Sequence, residues 1–157
     1  MEMDLKENTK QVFQQVTTAA QETGREDGSV SVIAVTKYVD IATAANLIDQ
    51  GVKHIGENRV DKFLEKYHAL SDKDVTWHLI GSLQRRKVKD IIPFVDYFHA
   101  LDSLKLAQEI QKRADRTVKC FLQVNISGEE SKHGFSKEEL LTVLQDLSSL
   151  DNIEYVG

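Results

Sequence analysis

Short apolar runs recur along this chain, and an amphipathic helical pattern follows most of them. That alternation constrains the fold more than any other feature, because parallel strands adjacent in sequence need a crossover of a dozen or so residues between them, usually a helix. The first run, Val30-Ser-Val-Ile-Ala-Val-Thr36, is β-branched and nearly free of polar residues, as a buried parallel strand should be. Others stand at His54-Ile-Gly56, Thr76-Trp-His-Leu-Ile80, Tyr97-Phe-His-Ala-Leu101, Val118–Ile126 and Ile153-Glu-Tyr-Val156. Helices are expected over Ile41–Gln50, Asn58–Leu70, Ser82–Ile92, Ser103–Ala114 and Ser136–Leu150, with Gly51 and Pro93 as stops and a Ser136…Glu139 capping box. A helix over Asp4–Thr23, closed by Gly24, precedes the first strand. The pattern predicts βαβ units in a parallel sheet, with no linker and no domain break.

Two architectures satisfy that pattern, a doubly wound sheet and a (β/α)8 barrel. The glycine-rich phosphate turn of a dinucleotide-binding domain or a P-loop is missing, since Gly56-Glu-Asn and Gly81-Ser-Leu match neither fingerprint. Polar residues gather instead where consecutive strands end: Lys37, Glu57 and Asn58, Gln84, Asp102 and Ser103, then Asn125 and Ser127. Five consecutive strands decorated at the same end favour a barrel with a single functional mouth. A TIM barrel has eight units, so the chain is expected to cover about five and a half of them. Residues 1–157 are then one barrel domain, apparently truncated at its C-terminus within strand 6. Such a piece has an open strand edge and an uncovered apolar interior, so association is expected of it, whereas a complete barrel is expected to be a monomer.

Composition narrows the function. With 41% hydrophobic and 29% charged residues the chain has the make-up of a soluble globular protein, not of a disordered one. No apolar run approaches the ~18 residues of a membrane span, and no membrane partner is expected. The net charge of −5 argues against a general nucleic-acid binder. The basic run Gln84-Arg-Arg-Lys-Val-Lys89 has no aromatic residues interleaved and is read as a solvated helix face. A single cysteine, Cys120, excludes an internal disulfide and the common zinc frameworks, and it fits a reduced, cytoplasmic setting. His54, His68, His78, His99 and His133 show no i, i+4 pairing, so no metal site is expected.

Lys37 ends the first apolar strand, which aims its side chain at the mouth. A solvated lysine is the simplest role for such a residue. The chemical alternative is a nucleophilic amine, its pKa lowered by apolar walls from Val32, Ile33, Ala34 and Val35 so that it can attack an aldehyde. Around it the motifs Ile33-Ala-Val-Thr-Lys37, His54-Ile-Gly-Glu-Asn58, Trp77-His-Leu-Ile-Gly-Ser-Leu-Gln84, Leu122-Gln-Val-Asn-Ile126 and Gly128-Glu-Glu-Ser-Lys-His-Gly134 occur in order. Together they resemble the pyridoxal phosphate homeostasis protein family, from about residue 5 to the last residue.

The resemblance implies a single-domain barrel of the alanine racemase N-terminal kind. It implies pyridoxal 5′-phosphate held as a Schiff base on Lys37, in a protein that buffers and delivers the cofactor, to apoenzymes that depend on it, without established turnover. Asn58 is a polar contact near the cofactor ring in that reading and a helix N-cap in the plainer one. His78 lies within a strand, where a satisfied core histidine is the plainer role and a cofactor contact the other. Lys132, in the loop after the fifth strand, receives or passes on cofactor if the family pattern holds. The family often has a second lysine shortly after the first, and here that place is taken by Val39. Its phosphate and pyridine-nitrogen ligands come from late loops that have no counterpart among these residues. The enzymatic alternative is a pyridoxal-phosphate-dependent amino-acid racemase or decarboxylase. Such enzymes need a second acid/base on the far side of the cofactor, and the Tyr-Gly-His-Gly continuation of the racemase lysine motif is replaced here by Tyr38-Val-Asp-Ile41.

Overall fold

The computed structural model describes residues 4–157. Helix α1 (Leu5–Glu22) opens with Asp4 accepting a hydrogen bond from the Glu7 N–H, and Gly24, at φ +72°, turns the chain out of it. Then follow β1 (Ile33–Val35), α2 (Ile41–Asp49), β2 (His54–Glu57), α3 (Val60–Leu70) and β3 (Thr76–Leu79). The second half runs α4 (Val88–Ile91), β4 (Tyr97–Leu101), α5 (Leu104–Arg113), β5 (Val118–Leu122), α6 (Lys137–Ser148) and β6 (Ile153–Tyr155).

The six strands form one sheet in the order β1-β2-β3-β4-β5-β6, and every neighbouring pair is parallel. Strand order decides between the two architectures. A doubly wound sheet reverses its winding at a switch point, whereas a barrel adds each strand beside the last. No reversal occurs here, and right-handed crossovers in an unreversed order put every connecting helix on the same face. The sheet is not closed among the described residues, and β1 and β6 are its edges.

Alternation along the strands sorts the side chains. Ile55, Trp77, Leu79, Phe98, Val118, Cys120 and Ile153 are buried under the helices, with Phe63, Leu106, Ile110 and Leu147 packed down on them. The alternate residues, including Val35, His54, His78, Tyr97, His99 and Phe121, fall on the helix-free face. Val35 is 53% exposed there.

Three local expectations change. The first strand begins at Ile33 rather than Val30, and the fifth stops at Leu122, beyond which only an isolated bridge joins Val124 to Phe135. Ser82–Ile92 is not one helix: a 3-10 turn at Arg85–Lys87, the single α turn of α4 and a second 3-10 turn at Ile92–Phe94 replace it. Pro93 sits inside that last turn, where its missing N–H costs nothing, and so shapes the exit instead of stopping a helix. The capping box is present in full, with the Ser136 hydroxyl accepting from the Glu139 N–H and the Glu139 carboxylate accepting from the Ser136 N–H.

Candidate cofactor-binding site

Lys37 follows β1 as the second residue of a turn in which the Thr36 carbonyl accepts the Val39 N–H at 3.2 Å. Its side chain is exposed, not walled in by apolar residues as the strand pattern predicted. The reason is tertiary: β1 is an edge strand and the face beside it carries no helix. The Lys37 Nζ lies 5.2 Å from the centre of the Tyr38 ring and, among the described residues, makes no hydrogen bond or ion pair. A cleft of about 480 Å³ opens beside it, lined by Lys37, Tyr38, Asp40, Lys62, Glu65 and Lys66 among others.

Asn58 stands at the matching end of β2, the strand paired with β1. It does not cap α3: that helix begins at Val60, its cap position is Arg59, and no side chain caps it. The half-buried Asn58 amide makes no side-chain hydrogen bond among the described residues, so it is unspent. Its backbone is held closely from the next strand. A β-carbon built at Gly81 would lie 2.2 Å from the Asn58 carbonyl oxygen, and the Ile80 N–H donates to the Glu57 carbonyl at 2.8 Å. The chain after β3 can approach Asn58 because residue 81 is glycine.

Glu57 belongs to a different face from the mouth residues it was grouped with. It turns under α3 with no solvent exposure, where its Oε1 accepts from the Thr36 hydroxyl at 2.9 Å and pairs with the Lys66 ammonium. Lys66, itself 4% exposed, also donates to the Thr36 carbonyl. Glu57 Oε2 is buried and has no hydrogen-bond partner among the described residues.

His78 lies in the middle of the helix-free face. One ring nitrogen is 2.9 Å from His54 Nδ1 and the other 2.8 Å from His99 Nε2, so the three imidazoles form a continuous ladder across β2, β3 and β4. Tyr97 stacks on His78 with ring centres 4.6 Å apart, and Phe121 packs 4.7 Å from His99. Burial, reinforced by the His99 and His54 rings, pushes the His78 pKa down to about 3, and burial alone holds His99 below the ordinary imidazole range. His78 and His99 are therefore neutral near pH 7. Both His78 nitrogens are committed to the ladder.

Lys132 is exposed in the loop after β5. That loop is tied to itself: Asn125 Nδ2 donates to the Glu129 carbonyl at 2.8 Å, and Asn125 Oδ1 accepts from Ser127 Oγ and the Gly128 N–H, both at 3.1 Å. Asn125 and Ser127 thus serve the loop, and Ser103 serves as the N-cap of α5. The structure brings Lys37 and Asn58 to adjacent strand ends, puts Lys132 at the same end three strands beyond β2, and keeps His78 within the sheet. Sequence reasoning missed the His54 and His99 partners of His78 and the Lys66 partner of Glu57. Both links are between strands or between strand and helix, and no local spacing announces them.

Comparison with known proteins decides the family. The family model described as alanine racemase, N-terminal domain, matches residues 8–157. The chain belongs to that family. Within it, the chain is 35% identical over 158 residues to the pyridoxal phosphate homeostasis protein of Aquifex aeolicus, covering 99% of this chain and 69% of that protein. The solved structure of PipY from Synechococcus elongatus with PLP bound superposes with a TM-score of 0.78 at 32% identity, over 88% of this chain and 66% of that one. The alanine racemase of Corynebacterium glutamicum matches at a TM-score of 0.71 but 14% identity, over 98% of this chain and 43% of the enzyme, and so shares the fold alone. This alanine racemase N-terminal domain spans about two thirds of the length of its homeostasis relatives. Its residues fit the aldehyde end of pyridoxal 5′-phosphate: a lysine amine without an internal partner, an unspent amide on the next strand, and an adjoining face lined with flat rings.

Proposed function

We propose that this chain binds pyridoxal 5′-phosphate on the Nζ of Lys37 and acts in cofactor homeostasis, holding the cofactor and releasing it to apoenzymes in the cytoplasm. The observation that carries the reading is the state of Lys37: it is exposed at the functional end of β1 and makes no ion pair or hydrogen bond among the described residues, in a chain 35% identical to a pyridoxal phosphate homeostasis protein. When bound, the cofactor supplies an electrophilic aldehyde and an electron-withdrawing ring. Lys37 supplies the amine and Asn58 a hydrogen-bonding amide beside it. Lys132, exposed at the same end of the sheet, is the loop lysine that receives or passes on cofactor. His78, with its ring nitrogens engaged by His54 and His99, contributes from within the sheet by fixing the floor below the site. Turnover of an amino acid is not assigned: racemisation needs an acid and a base on opposite sides of the substrate carbon, and the Tyr-Gly-His-Gly continuation of the racemase lysine motif is replaced here by Tyr38-Val-Asp-Ile41.

The test is to mix the protein with pyridoxal 5′-phosphate, reduce with borohydride and locate the adduct by peptide mass. An adduct on Lys37 that disappears in Lys37→Ala is expected. Labelling spread evenly over exposed lysines, with Lys37 no more modified than Lys89, overturns the reading.

A further inference from the structure

The buried charges beside Lys37 have no part in the reading above, and their geometry is specific. Thr36, the residue before Lys37, is fully buried and every polar atom it has is engaged. Its N–H donates to the Gly56 carbonyl at 3.0 Å, and its hydroxyl donates to Glu57 Oε1 at 2.9 Å. Its carbonyl accepts both the Val39 N–H and the Lys66 ammonium. Glu57, the residue before Asn58, is the other anchor. On each of the two edge-side strands, then, the residue held by the ion pair immediately precedes a residue of the proposed site.

Stability alone is a poor reason for this arrangement. Burying two charges costs several kcal/mol per ion after relaxation, and well-packed apolar replacements of such pairs are often neutral or stabilising. Glu57 Oε2 adds a further cost, since it is buried with no hydrogen-bond partner among the described residues. What an ion pair provides that an apolar contact does not is direction, because its hydrogen bonds fix the angle of the groups they join.

We propose that Glu57 and Lys66 form a positioning clasp for the cofactor site, gripping Thr36 so that the turn at Lys37 and the end of β2 at Asn58 keep one relative orientation. Lys66 and Glu57 act through Thr36 and touch no cofactor. The inference rests on the Lys37 reading for its purpose, though the grip on the turn stands independently of it. Lys66 lines the same cleft as Lys37.

The experiment compares the parent chain with the charge-free double variant Lys66→Met/Glu57→Leu and with Thr36→Val and Thr36→Ser, which leave the ion pair in place. Two quantities are read: hydrogen exchange of the Val39 N–H against core amides such as Phe98, and the fraction of Lys37 trapped by borohydride with pyridoxal 5′-phosphate across pH. Losing a hydrogen bond to a charged group should quicken Val39 exchange and lower Lys37 trapping by about tenfold or more in the double variant, with Phe98 exchange unchanged. Thr36→Val should show a smaller loss of trapping that Thr36→Ser restores. Unchanged Val39 exchange, or trapping with the parent's yield and pH profile in both the double variant and Thr36→Val, overturns the clasp. A double variant that does not fold leaves the decision to the Thr36 pair, where equal trapping by Val and Ser overturns it. If the parent carries no adduct on Lys37, the Lys37 reading falls, and Val39 exchange still decides the clasp.

Discussion

The two faces of the sheet solve the problem of polar residues in opposite ways. Beneath the helices the cluster of Thr36, Glu57 and Lys66 is charged and nearly dry, in a layer of fully buried residues such as Phe63, Phe98 and Leu79. On the helix-free face the cluster is His54, His78 and His99, joined ring to ring, with His78 and His99 held below the ordinary imidazole range and partly exposed rings beside them. A covered face leaves a charge nowhere to go but to a partner, so its network is held by full ion pairing. An uncovered face has water within reach, and weaker neutral hydrogen bonds suffice there. Lys37 belongs to the second environment by its exposed side chain and to the first through Thr36, the buried residue before it, whose carbonyl and hydroxyl meet Lys66 and Glu57.

Breaking either face measures the difference. Lys66→Met alone should cost about 3–5 kcal/mol in urea unfolding, because it strands the Glu57 carboxylate, while the double variant with Glu57→Leu should recover most of that loss. If the single and double variants unfold alike, the covered face does not depend on pairing. Phe98→Ala, under the helices, should cost about 3–5 kcal/mol, against about 0.5 kcal/mol or less for Val35→Ala on the exposed side. Comparable losses at the two positions would mean that the helix-free face is covered in solution. Gly81→Ala should cost about 1–3 kcal/mol by forcing a methyl group against the Asn58 carbonyl, and the amide signals of Asn58 should move with it.

One further effect is graded by pH. His78 has a folded-state pKa of about 3 against the ordinary 6.5, so below 6.5 the unfolded chain takes up a proton that the folded chain refuses. The stabilisation linked to a neutral His78 is therefore present above pH 6.5 and is lost as the pH falls from there toward 3, with a slope of up to about 1.4 kcal/mol per pH unit for this one imidazole. His78→Phe should flatten that slope. An unchanged acid profile in this variant would show that the ladder does not titrate with folding.

Much of the architecture was legible before any coordinates. The alternation of apolar runs and helical patterns, the glycine stop at Gly24 and the capping box at Ser136 are local signals, set by backbone dihedrals and by contacts within a turn or two, and they appear where the sequence puts them. Lys37 and Asn58 were legible in the same way, as polar residues directly after apolar strands. The segment after β3 departs from its helical pattern because residues 82–84 are not helical and the rest divides into a 3-10 turn, one α turn ending at Ile91 and a second 3-10 turn that holds Pro93 in its first residues.

The sequence by itself determined the strands, the helices and the residues at the strand ends, since each of these follows from short-range periodicity. Tertiary structure alone decided which face each residue looks onto and what stands opposite it. Lys37 is exposed because its strand is an edge, and Glu57 is buried because α3 folds over it. Lys66 lies nine residues from Glu57 but thirty from Thr36, and His54, His78 and His99 are separated by 24 and 21 residues. Those distances are closed only when parallel strands pair and a helix packs across them, and the free energy that selects such pairings belongs to the whole sheet and to no local stretch of chain.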